Sequence, residues 1–313
     1  MKLISVFMLV YNQKKFVVEA IESVINQKLI MMDDVELVIS DDCSTDGTTE
    51  ILKEYKIKYP DLIKLNINSI NQGITKNSNI ALTMCTGKYI AFTAGDDLLA
   101  PKRLINQLNW FEKNPDAVLC TSAVEIFFDY SSIIKGPLHD EDCLSNQPIK
   151  MIEQYSQLPA GRFMINRKKV PNIMFDERTR VVSDWGFFYD IAMSGKVGGT
   201  RELGIRYRRH TDNITTSGVN NSHLDDRLIA IDILFCKYPQ LYSSCKKQRC
   251  YTLYLHAKRY YLAYDDKAAR KYSIYSICEN FIHVPSYLLL SLSFMGKIGH
   301  HIINLIRKIR NSG

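Results

Sequence analysis

The chain has 313 residues, enough for one mid-sized domain with an appendage or for two modest ones. A hydrophobic fraction of 46% supplies a sizeable core and argues against a disordered chain. The formal charge of +7 suits anionic nucleotides, anionic lipid or nucleic acid without choosing among them.

Leu3–Val10 is a short apolar run of the kind that forms a strand buried on both faces. It stops at Tyr11-Asn12-Gln13-Lys14 without a small-residue cleavage site, so a first strand is expected there rather than an export signal. A helix is predicted from about Phe16 to Gln27, with Phe16, Ala20, Ile21, Val24 and Ile25 on one face. Val35–Ser40 is a second strand, Thr48–Tyr59 a second helix, and Ile63–Asn68 a third strand. Thr75–Cys85 follows as a helix with Thr75 as its N-cap, and Tyr89–Thr93 as a fourth buried strand. Pro101 opens another helix near its first turn, and Ala117–Ser122 is a fifth strand. From about 125 to 215 the pattern is less regular, apart from a helix at Asp184–Ser194. Beyond about 220 the chain is helical and rich in tyrosine. A boundary is placed near Gly218, giving regions 1–218 and 219–313.

The eight cysteines include no Cys-x-x-Cys pair, and several lie in apolar stretches such as Val118-Leu119-Cys120. Reduced cysteines of a cytosolic protein explain this better than a disulfide framework or a zinc site.

Strand–helix alternation over the first 120 residues predicts an α/β fold with an open, mostly parallel sheet and helices on both faces. In such sheets ligands sit beyond the carboxyl ends of the strands. Polar groups fall at four of those ends: Tyr11-Asn12, Asp41-Asp42, Asn71 to Gly73, and Gly95-Asp96-Asp97. Adjacent carboxylates after a buried strand cap a helix, shape a turn, or hold a hard cation such as Mg²⁺ or Mn²⁺. Asp41-Asp42 has the same ambiguity: a turn with Asp46 capping the next helix, or a carboxylate that accepts a pyrimidine N–H with Tyr11 stacked on the base.

Taken together, Ser5–Asn12, Ile39–Gly47, Asn71-Gln72-Gly73 and Gly87–Asp97 resemble glycosyltransferase family 2, which has the GT-A fold. The ordered motifs cover roughly residues 3–105, and a block near 184–210 extends the match. The resemblance implies a nucleotide-diphosphate-sugar donor, commonly UDP-linked, and Mn²⁺ or Mg²⁺ on its pyrophosphate. It assigns Val10, Tyr11, Asn12 and Asp42 to the donor, with Tyr11 and Asp42 on the base. Asp96 falls on the ribose side and Asp97 on the metal. Many members carry Asp-x-Asp-Asp after this strand, whereas here Ala94 fills the first position.

Inverting transfer needs a base for the acceptor hydroxyl, and the family places one at the start of a helix in the second half. Asp184, in Ser183-Asp184-Trp185-Gly186, matches that position; a helix-capping acid is the other reading. Trp185 is either an acceptor-side sugar platform or a core aromatic. Tyr207-Arg208-Arg209-His210 resembles the family's Tyr-Arg-x-His segment, which would put Arg208 on pyrophosphate and His210 on metal or phosphate; a solvated basic strand end is the plain alternative. Lys76 is a further phosphate candidate.

After Glu279 the sequence has no acidic residue, while Lys297, Arg307, Lys308 and Arg310 are basic. Ile298, Ile302, Leu305, Ile306 and Ile309 share one helical face, as in a helix lying on anionic lipid; a core helix with a basic end would look similar. The expectation is an inverting, metal-dependent enzyme on the cytoplasmic membrane face, acting on a lipid-linked or oligosaccharide acceptor in surface polysaccharide synthesis. No nucleic-acid partner is expected. Two other readings stand beside it. A non-catalytic nucleotide-sugar-binding relative is suggested by Ala94. A metal-dependent nucleotidyltransferase is disfavoured because Val10-Tyr11-Asn12-Gln13 lacks a Gly-rich basic loop.

Overall fold

Ile4–Val10 (β1) has one polar side chain, Ser5, and is buried along nearly its whole length because strands lie on both sides of it. It pairs in parallel with β2 (Val35–Asp41) on one side and β4 (Tyr89–Ala94) on the other. Strands sandwiched this way have no solvent face, so apolar residues run continuously rather than alternating. β3 (Ile63–Ile67) adds a parallel edge to β2. The connecting helices are α1 (Val17–Ile25), α2 (Thr48–Lys58) and α3 (Ile74–Met84). α1 buries Val17, Ala20, Ile21 and Val24 against the sheet, one stripe at helical spacing.

The computed structural model describes residues 2–27, 34–129, 131–139, 141–147, 159–170, 172–211 and 221–302. After β4 come β5 (Leu98–Leu99), α4 (Arg103–Lys113), β6 (Ala117–Phe128), β7 (Ser131–Leu138), α5 (Glu141–Leu144), β8 (Met164–Asn166), α6 (Ser183–Met193) and β9 (Lys196–Arg209). Among the described residues these strands form one nine-stranded sheet in the order β3-β2-β1-β4-β8-β6-β9-β5, with β7 paired to β6. β8 runs antiparallel to both β4 and β6, so the sheet is mixed. The chain moves outward from β1 to β2 and β3, then returns to the other flank of β1 as β4. That reversal opens a crevice at the carboxyl ends of β1 and β4, where open α/β sheets bind ligands.

Three expectations change. Thr75 is not the N-cap of α3: Gly73, at φ +82°, precedes the helix, and Thr75 Oγ1 instead donates to the Thr179 carbonyl at 2.6 Å. A positive φ is cheap for glycine and strained for other residues, which explains Gly73 at this entry. The fifth strand runs on to Phe128 because β9 and β7 pair with its second half. The stretch expected to be irregular contains the fourteen-residue β9, whose sequence KVGGTRELGIRYRR lacks a clear apolar period and is ordered by parallel pairing to β6.

The chain divides into two compact units, Met1–Gly218 and Val219–Gly313. The second holds α7 (Asn221–Lys237), α8 (Tyr242–Leu262), α9 (Asp266–Glu279) and α10 (Val284–Phe294). Asp265 caps α9 by accepting the Ala268 N–H at 2.9 Å. Ala257, Tyr261, Ala269 and Leu289 make a small core there.

Candidate active site

The crevice is assembled first from main chain. Gly95 N–H donates to the Leu9 carbonyl and Asp42 N–H to the Val10 carbonyl, at 2.9 and 3.0 Å, so the ends of β1, β2 and β4 meet. Val10 is buried and contributes backbone rather than side chain. Asn12 adopts φ +51°; its N–H donates to Ser44 Oγ, and its Oδ1 accepts the Thr45 N–H, both at 2.8 Å. Tyr11 beside it is 47% exposed, open enough to stack on a planar ligand.

The two aspartates after β2 have separate tasks. Asp41 turns inward and accepts from Ser44 Oγ and Thr49 Oγ1, both at 2.5 Å. Asp42 accepts from Asn68 Nδ2 and Gln72 N–H on one oxygen and from Gly73 N–H on the other. Asp42 therefore ties the loop after β3 to β2, with acceptor capacity left on the oxygen that meets Gly73. Gly47, at φ +95°, rather than Asp46 is the N-cap of α2, and Asp46 before it accepts the Thr48 N–H at 3.0 Å. Lys76 stands exposed on the first turn of α3.

At the end of β4, Asp96 and Asp97 are both buried. Asp97 Oδ1 accepts the Arg208 N–H at 3.0 Å, and Asp96 Oδ2 lies 3.1 Å from His210 Nε2. Burial first, and then the Asp96 charge, push the Asp97 carboxyl well above the usual range. A cation would remove that penalty. Among the described residues no three His, Cys, Asp or Glu side chains converge as a metal cluster. Asp97, a buried carboxylate, is the kind of oxygen donor that a hard ion shares with phosphate oxygens and water. His210 pairs with Asp96 rather than Asp97, and its ring packs on Phe16 at 4.5 Å.

The Arg208 guanidinium donates to the Asp96 carbonyl at 3.0 Å, to Asp129 at 3.0 Å and to Glu19 at 2.5 Å, and it lies over Phe16 and Phe127. These contacts join β9 to α1 and to the residues that follow β4 and β6. Sequence reading missed Glu19 and Asp129; neither sits in a motif, and only the fold brings them to Arg208.

A turn at Ala160–Arg162 forms the next wall. A Cβ on Gly161 would lie 2.5 Å from Ile205 Cδ1, which would have to move aside, and 3.7 Å from Asp97 Oδ2. Arg103 and Gln107 of α4 fasten this turn from behind. Arg103, fully buried, donates to the Phe92 and Phe163 carbonyls at 3.0 Å, and Gln107 Nε2 to those of Cys120 and Arg162 at 3.1 Å. Gly95 is also required by space: a Cβ would sit 2.4 Å from Gln13 Oε1, a buried oxygen without a hydrogen-bond partner.

Asp184 is in the first turn of α6, exposed to solvent yet ringed by protein, as on the wall of a cleft. Crowding by protein pushes its carboxyl up, while the Trp185 N–H at 2.8 Å and the Arg162 charge pull it back. Arg162, whose charge acts on Asp184, follows Gly161, the glycine that lies against Asp97. Trp185 is not an open sugar platform: it is buried and packs edge-on to Tyr189 at 4.7 Å.

The fold and the acidic crevice define a GT-A nucleotide-sugar-transferase architecture. Residues 5–177 match glycosyl transferase family 2, and the chain belongs to that family. It is 29% identical over 232 residues to the minor teichoic acid biosynthesis protein GgaB of Bacillus subtilis (strain 168), covering 72% of this chain and 25% of GgaB. S. aureus TarS 1–349 in complex with UDP-GlcNAc superposes with a TM-score of 0.64 at 15% identity, over 95% of this chain and 92% of that one. The Pyrobaculum calidifontis mannosyltransferase PcManGT, in complex with GDP-Man and Mn²⁺, gives 0.57 at 17% identity, over 95% and 82%. The chain spans less than half the length of the curated relatives it matches first.

Proposed function

We propose that the protein is an inverting glycosyltransferase that moves a sugar from a nucleotide-diphosphate-sugar, UDP-linked, to a hydroxyl of a lipid-linked or oligosaccharide acceptor in surface polysaccharide assembly. The carrying observation is the buried Asp96–Asp97 pair at the strand reversal, with the raised Asp97 carboxyl awaiting a cation. Tyr11 offers a stacking face for the base and Asp42 its remaining acceptor capacity. Asp96, held by His210, would meet the ribose. Lys76, exposed on the first turn of α3, would meet phosphate. Mn²⁺ or Mg²⁺ on Asp97 would neutralise the leaving diphosphate as a Lewis acid. Asp184 takes the proton from the acceptor hydroxyl as its oxygen attacks the anomeric carbon, and a carboxylate whose pKa is raised by the protein crowded around it is a stronger base than an ordinary aspartate. The likeness to GgaB, a teichoic acid biosynthesis protein, supports the acceptor class. That class and the cysteine pattern together favour action at the cytoplasmic membrane face.

The test is thermal stability against a panel of nucleotide-sugars with and without Mn²⁺, since a ligand that binds only the native state raises it. Stabilisation by a UDP-sugar that depends on the metal is expected. Indifference to every nucleotide would sink the proposal.

A further inference from the structure

Helix α10 buries two of its three serines, leaving Ser291 exposed, and displays apolar residues outward. α10 turns Ser286 and Ser293 inward, both essentially fully buried, while Leu288 and Phe294 are 60% and 70% exposed. Its register is fixed from within. Leu289 enters the small core with Ala257, Tyr261 and Ala269. Ser286 Oγ donates to Ser276 Oγ at 2.8 Å, which in turn donates to the Cys250 carbonyl at 2.7 Å. A helix stabilised by water on its outer side shows the opposite polarity. The outward residues Val284, Leu288 and Phe294 fall on one stripe, and the loop ahead of α10 prolongs it with Phe281 and Ile282, 72% and 85% exposed. Beyond the helix Ile298 is exposed too, whereas Leu305, Ile306 and Ile309, expected on its face, lie outside the described residues.

Charge surrounds the stripe. The unit Val219–Gly313 contains fourteen Lys and Arg against six Asp and Glu, so it carries more than the entire net charge of the chain. Arg270 lies over the Phe294 ring at 5.0 Å and donates to the Ser293 carbonyl at 2.9 Å. Lys271 and Lys297 are exposed nearby in sequence, and Glu279 is already paired with Arg249 at 2.7 Å. Among the described residues no helix is long and apolar enough to cross a membrane.

We infer that the outer face of α10, led by the Phe281–Ile282 loop, docks on an anionic bilayer surface. The apolar stripe enters the boundary between headgroups and acyl chains, and Arg270, Lys271 and Lys297 meet lipid phosphate. A second copy of this chain is a poorer occupant, because a two-fold contact would set one basic face against another. The inference deepens the proposed membrane location, and lipid docking is measurable without transfer.

The test is co-sedimentation of the full chain with vesicles of phosphatidylcholine containing roughly one-third phosphatidylglycerol, against phosphatidylcholine alone. Binding to the anionic vesicles is expected, weakened at about 0.5 M salt, where the Debye length is only a few ångström. The variant Leu288→Glu with Phe294→Glu should lower partitioning roughly tenfold or more. Lys271→Gln with Lys297→Gln should lower it on anionic vesicles and leave phosphatidylcholine binding as it was. This surface pair decides the matter if the glutamate variant loses its helical circular dichroism. Wild-type protein that stays in the supernatant with anionic vesicles overturns the inference. So does a wild-type dimer in solution that the glutamate variant converts to monomer while vesicle binding persists. The nucleotide-sugar stability shift, read on the same samples, separates this outcome from failure of the transferase reading.

Discussion

Asp184 and Asp97 both carry raised pKa values, but with opposite consequences. Crowding by protein lifts Asp184, so transfer should decline as pH falls through a value above the ordinary 3.8, which a pH–rate profile will locate. Asp184→Asn should cut transfer by roughly 10²–10⁴-fold, the usual size of general-base catalysis, while donor binding holds. Full activity in that variant would remove Asp184 from the chemistry. For Asp97 the folded state holds its proton more tightly than the unfolded chain does. Stability without metal therefore falls as pH rises from about 3.8 toward the raised value. Asp97→Asn relieves the repulsion with Asp96 and should raise metal-free stability by about 1 kcal/mol, while metal-dependent stabilisation by the donor is lost. Urea denaturation with and without Mn²⁺ checks both halves.

At the scale of elements, buried Arg103 fastens the wall of the crevice from behind, and buried Glu36 ties the strands together at their opposite, amino ends. Arg103 of α4 joins β4 to the residue after the Ala160–Arg162 turn through the Phe92 and Phe163 carbonyls, the second of which also accepts the Phe92 N–H. Arg103→Leu should cost about 3 kcal/mol in chemical denaturation, because it removes several buried hydrogen bonds of a charged group at once. Glu36, near the start of β2, receives Ser5 Oγ at 2.5 Å, Lys64 at 2.7 Å and the Thr86 N–H at 2.5 Å. Burial would raise its pKa, but these donors outweigh burial and lower it. Its stabilisation is thus present above the unfolded value of about 4.5 and lost as pH falls through the lower folded value. Glu36→Gln should cost about 1–3 kcal/mol at neutral pH and flatten the acid limb of the stability curve.

Across the whole molecule, donor binding should act on global stability. A UDP-sugar with Mn²⁺ at 100 times its Kd is expected to add about 2.7 kcal/mol, read as a shift in the denaturation midpoint. The motif residues Tyr11, Asp42, Asp96, Asp97 and Asp184 were legible in the sequence because each follows a strand or opens a helix whose apolar pattern is local. The central parallel strands were equally legible, since burial on both faces leaves continuous apolar runs such as ISVFMLV. Tertiary structure alone decided the rest. β9 has no period of its own and exists through pairing with β6. Arg208 was visible as a motif residue, yet its ion pairs with Glu19 and Asp129, remote in sequence, were not. Trp185 is buried, a choice between core and open platform that its local sequence left undecided. The outward stripe of α10 follows from which of its faces the Ser276–Ser286 contact and Leu289 draw inward. Local periodicity sets which segments become strands and helices and what stands at their ends; which side chains then meet depends on contacts distant in sequence that no local pattern contains.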